Sequence, residues 1–162
     1  MKKFIACLLL LITISAFSQD APWEFIKKNY SKANSDSALC AGMMKRLANV
    51  TASDVIMSGY KGAVTATMAN HVSDKSKKLQ LFKEGRSLLE QSITKMPNSV
   101  ELRFLRLTIQ SNCPKVLGYN KEIGSDKEYI LKNYIEAEPW VMSMIRSFAK
   151  QSSLFTAEEK NS

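Results

Sequence analysis

Leu79, Phe82, Gly85/Arg86, Leu89, Ile93 and Met96 recur at spacings of three and four residues, and Pro97 closes the run. Such a stripe can be buried together only along one side of an α-helix, where 3.6 residues complete a turn. Strand signals are missing around it. The chain has no run of alternating β-branched residues and no Asn-Gly or Asp-Gly hairpin turn. With 45% hydrophobic and 23% charged residues it can bury a core and is not a disordered chain. The fold class is therefore read as all-α: six to seven short helices, joined by short polar turns into antiparallel hairpins.

The other helices follow from the same periodicity and from their caps. A first spans 22–31, with Trp23, Ile26 and Tyr30 on one face. A second starts near Ser35 or Asp36 and buries Leu39, Met43 and Leu47. Asp54 caps a third, whose stripe runs Ile56/Met57, Tyr60, Ala63/Val64, Thr67/Met68. Asn98 and Glu101 read as a capping box opening a fifth helix, with Leu102, Leu105 and Ile109 inward and Pro114 ending it. After a loop holding Gly118 and Gly124, Ser125 and Glu128 form a second box, and a helix runs through Tyr129, Ile130, Tyr134 and Ile135. Pro139 suits the first turn of the last helix, which buries Trp140/Val141, Met144/Ile145 and Phe148. Residues 151–162 read as a frayed polar tail.

Lys2 and Lys3 precede the apolar run Phe4–Ile12, and Ala16 and Ser18 stand at the −3 and −1 positions of a cut before Gln19. That is the layout of a secretory signal peptide over residues 1–18, leaving a single α-helical domain over 19–150. No later segment approaches the roughly 20 apolar residues a bilayer requires. The expected location is exported, periplasmic or associated with the cell envelope. Removing the leader takes away two lysines and no acid, so the formal charge falls from +8 to +6. This balance favours an anionic partner, and it is also common for small exported proteins that have none. No stacking aromatics interleave with the basic residues, which argues against nucleic acid. The densest cluster, Lys75, Lys77 and Lys78, reads first as a solvated helix entry and second as an anion patch.

Gly85, Leu89, Ser92 and Pro97 have the small–large–small–proline spacing that resembles the second helix of a tetratricopeptide (TPR) repeat. The resemblance covers about residues 55–112 and is to one hairpin rather than a regular array. It implies paired helices that approach closely at the small residues. It also implies an inner groove of the kind that binds peptides.

Catalytic chemistry is not indicated. His71 is the one histidine, with no nucleophile signature around it, and reads as a surface or capping residue. Cys40, Cys113 and His71 are the only soft ligands of the mature chain and no two are closely spaced, so no metal is expected. No glycine-rich phosphate loop exists, and no cofactor is expected. Cys40 and Cys113 are read either as one disulfide of an exported protein or as two reduced thiols.

Binding is better supported. Glu101, Arg103 and Arg106 share the fifth helix, the arginines at i,i+3 on one face. The pair can present bidentate donors to a partner, or bridge internally to Glu84, Glu90 or Asp126. The loop over residues 114–120 is either a contact site or a lid packing Leu117 and Tyr119 onto the core. Two short modification signals, Asn49-Val50-Thr51 and Asp36-Ser37-Ala38, complete the inventory. The expected function is a non-catalytic module for a protein or peptide partner. The alternative is a carrier of small apolar ligands, its cavity lined by Met43, Met44, Met57, Met68, Met96, Met142 and Met144.

Overall fold

The computed structural model describes residues 22–160, and the proposed leader lies outside the described residues. Among the described residues there are seven α-helices and no strand: α1 Pro22–Asn29, α2 Ser37–Leu47, α3 Val55–Met68, α4 Lys75–Lys95, α5 Val100–Ser111, α6 Ile123–Asn133 and α7 Pro139–Gln151. Single 3-10 turns follow α1, α3 and α6, and one more lies between α5 and α6. No helix among the described residues is long and apolar enough to cross a membrane.

Side-chain oxygens start four of these helices by accepting a first-turn N–H that has no partner inside the helix. Asp36 accepts from Leu39 N at 2.9 Å, Asp54 from Met57 N at 3.1 Å and Asp74 from Lys77 N at 2.7 Å. Ser99, not Asn98, caps α5, through Leu102 N at 3.2 Å. Glu101 is thereby released from a capping box and turns inward. The second expected box is also absent. α6 begins at Ile123, so Ser125 and Gly124 lie inside its first turn, and the Ser125 hydroxyl donates to Glu122 O at 3.0 Å.

α3 is the central helix. Its buried positions include Ser58, Gly59, Tyr60, Gly62, Ala63 and Val64, and α2, α4 and α5 pack around it. Small residues permit this enclosure. A Cβ on Gly62 would lie 2.6 Å from Leu89 N and 2.7 Å from Gly85 O, so α3 and α4 meet backbone to backbone. Leu89 and Ser92, on the same side of α4, are buried.

Both ends of the α4 stripe fail to be covered: Leu79 is 40% exposed and Met96 41%. Ile135 is also exposed, because the chain there is a 3-10 turn whose tighter winding breaks the α-helical phase. The segment after α7 is not frayed through its described part. Phe155 is buried edge-to-face against Phe148, which packs edge-to-face on Phe104. Lys127 Nζ anchors the segment from α6, contacting both carboxylate oxygens of Glu159 at 2.9 and 3.0 Å. α1 packs on the core through Ile26, and Tyr30 just beyond it shares a 3.1 Å hydrogen bond with the Thr108 hydroxyl.

Candidate functional site

Five separate stretches of chain surround an open-sided cleft of about 930 Å³. The turn after α1 supplies Tyr30, α3 supplies Thr67, α4 supplies Lys75, Lys78, Leu79 and Phe82, α5 supplies Phe104 and Thr108, and α7 supplies Met144, Ser147 and Phe148. The loop after α5 adds Cys113 and Val116. The floor is largely apolar and aromatic, while Asn70, Asn112 and Gln151 join the hydroxyls along the walls. Leu79 and the 90% exposed Val116 stand at its margin. No carboxylate among the described residues lines it.

The arginines, open to either a partner or an internal bridge on the sequence, are turned inward. Arg106 grips Asp126 through Nε–Oδ2 at 2.7 Å and Nη2–Oδ1 at 2.8 Å, and reaches Glu90 Oε2 through Nη1 at 3.0 Å. Arg103 Nη1 donates to Asp126 Oδ1 at 2.9 Å, and its guanidinium stacks over Tyr129. Burial works against the Arg106 charge, but the hydrogen bonds and charge of Asp126, with Glu90, outweigh it and raise its pKa. Tyr119 is likewise a packed residue. Its ring meets Phe82 edge-to-face, Arg86 stacks on it, and its hydroxyl donates to Glu90. Burial, then the Glu90 hydrogen bond and charge, raise the Tyr119 pKa. Of the two readings of these residues, the geometry is that of internal bridging and of a lid. None of Glu101, Arg103, Arg106 or Tyr119 lines the cleft.

No family model, curated protein or solved structure matches this chain. The site must therefore be read from its own groups.

A second cluster holds α1, α3, α5 and α7 together. Trp23 packs edge-to-face on Tyr60 at 5.5 Å and on Trp140 at 5.2 Å, and the Lys27 ammonium lies over both indoles. Glu101 accepts the Tyr60 hydroxyl at 2.7 Å. Burial is the largest cause raising the Glu101 pKa, with Glu138 adding to it and the Tyr60 hydrogen bond and Lys27 opposing.

Cys40 and Cys113 are free thiols and are not joined in a disulfide. Cys40 is buried on α2 with its thiol directed at Val64 O, while Cys113 lines the cleft past the end of α5. The His71 ring makes a 2.7 Å hydrogen bond through Nε2 with Ala33 O, joining the turn after α3 to the one after α1. No group of three or more His, Cys, Asp or Glu side chains among the described residues is placed to hold a metal.

Sequence periodicity missed the cleft because its residues come from five segments, each reading alone as ordinary helix or loop. One faint signal existed. Thr67 and Thr108 are hydroxyl residues at apolar-phase positions near the C-terminal ends of α3 and α5, and both line the cleft.

Proposed function

We propose that this chain is an exported, non-catalytic helical protein of the periplasm or cell envelope, and that its cleft binds an extended peptide segment of a partner protein. The observation that carries this is the cleft's composition: an aromatic floor beneath walls of hydroxyl and amide groups, open along one side. A peptide suits both, since its side chains cover the floor while its N–H and C=O groups can add to the hydrogen bonds that the walls already make inside the chain. Exposed apolar side chains at the margin, Leu79 and Val116, support the same reading. So does the close α3–α4 pairing at Gly62 and Gly85, the feature a TPR-like hairpin needs.

The carrier reading has less support. A purely apolar cargo would leave unused the hydrogen-bonding capacity that the wall side chains keep beyond their bonds inside the chain, such as Thr67 to Ala63 O and Asn112 to Thr108 O. Of the methionines expected to form such a cavity, Met144 lines the cleft, whereas Met43 is fully buried elsewhere in the core.

The test is photo-crosslinking in the native envelope, with the reactive amino acid placed at Ser147 or Asn112 in the cleft, or at the exposed Lys132 of α6. The expected result is a discrete protein adduct from both cleft positions and none from Lys132. Adducts from Lys132 alone, with the cleft positions silent, would refute the proposal.

A further inference from the structure

Resting on the reading of the cleft as a peptide site, the charge of its walls specifies the peptide's chemistry. Lys75 and Lys78 line one side of the cleft, and no Asp or Glu among the described residues lines it to neutralise them. Neither lysine forms an ion pair among the described residues. The nearest acid in sequence, Asp74, has a carboxylate oxygen committed to Lys77 N as the α4 cap. Nor does the fold require positive charge here. The first turn of α4 carries Lys75, Lys77 and Lys78 and no acid, and cations at that end oppose the helix dipole. The ammonium groups thus work against α4 while standing beside the apolar margin at Leu79 and the floor at Phe82.

We propose that the cleft selects a peptide with an apolar anchor flanked by Asp or Glu, the anchor seated among Leu79, Phe82 and Phe148 and the acidic flank held by Lys75 and Lys78. Charge complementarity of this kind, on exposed groups, selects among partners and speeds encounter, and it weakens with salt.

Selection from a random peptide library on the mature chain, 19–162, tests it, with Lys75→Glu/Lys78→Glu and the cleft-blocking Ser147→Trp in parallel. The expected wild-type clones carry Asp or Glu next to an aromatic or aliphatic residue, and Ser147→Trp fails to retain them. The charge-swapped variant binds those clones about ten-fold more weakly, the loss expected of two exposed ion pairs. It also melts no lower than wild type, because its new acids favour the α4 dipole. Cleft-dependent clones with no acidic bias, or with unchanged affinity for the swapped variant, would overturn this inference and leave the peptide site standing. A library yielding no clone sensitive to Ser147→Trp would overturn both.

Discussion

Arg106 holds Asp126 by both carboxylate oxygens, and Asp126 has no exposed surface. Arg103 adds a third contact from the same helix and Glu90 a counter-charge from α4, so one network joins α4, α5 and α6. A buried pair of this kind contributes little over an apolar replacement, yet breaking one half leaves charge without a partner. Asp126→Ala is therefore expected to lower the unfolding free energy by about 3 kcal/mol. Arg103→Ala, which leaves the Arg106–Asp126 grip intact, is expected to lower it by about 1 kcal/mol or less. Urea unfolding of the two variants measures the difference, and equal losses would refute the assignment of Asp126 as the hub.

Gly85 is required by contact, not by conformation. A Cβ there would overlap the Ala66 backbone nitrogen and lie 2.5 Å from Gly62 O, and backbone cannot rotate away as a side chain can. Gly85→Ala is expected to destabilise by about 3 kcal/mol, the upper end for overpacking. Gly124, in the first turn of α6 with nothing within 4 Å of its would-be Cβ, gives the opposite sign. Gly124→Ala is expected to stabilise by about 0.5 kcal/mol, through the smaller backbone freedom of the unfolded chain. Thermal melts of both variants check the pair.

Phe155 makes the segment after α7 part of the fold, as it ends an aromatic series running from Phe104 through Phe148. Phe155→Ala is expected to destabilise by about 3 kcal/mol, as for a buried ring in a core. A truly frayed tail would show no change in midpoint.

How much of this was legible follows from where each signal resides. The α4 stripe, the Asp54 cap and Pro139 act within one or two turns, so the sequence displays them directly, whereas it leaves the start of α2 open between Ser35 and Asp36. Leu79 and Met96 obey the same period and still end exposed, because period fixes a face and not whether anything covers its ends. Asn98 and Ser99 are both good caps, and only the register set by burying Leu102 and Leu105 decides between them. The cleft was illegible because it is a space between five segments. The arginine partners were legible only as a set: the sequence offers Glu84, Glu90 and Asp126 alike, and the packing of α5 against α4 and α6 selects Glu90 and Asp126.

Glu101 gives the fold a pH dependence whose sign runs opposite to that of an ion-paired acid. Its carboxyl pKa is raised above the ordinary 4.5, burial being the largest cause. The folded chain therefore holds this proton more tightly than the unfolded chain does. Stability contributed by Glu101 rises as pH falls through the raised value toward 4.5, and is lost as pH rises. Glu101→Gln keeps an acceptor for Tyr60 and removes the charge. Its melting temperature is expected to match or exceed wild type at neutral pH, with a smaller gain on mild acidification. A steeper acid response in the variant would refute this.

The two thiols are expected to separate cleanly by reactivity. Burial pushes the Cys40 thiol up to about 11, so near neutral pH almost none of it is the reactive thiolate. Burial raises Cys113 too, with the Tyr119 backbone and Arg86 opposing, but Cys113 is only partly buried and lines the cleft. A maleimide added to the folded chain of residues 19–162 is expected to label Cys113 alone, and Cys40 only after denaturation. Because Cys113 shares the cleft with Phe82 and Phe104, a peptide seated there should slow its labelling and leave Cys40 unaffected. Labelling of Cys113 that is indifferent to a cleft-dependent peptide would place that peptide elsewhere on the molecule.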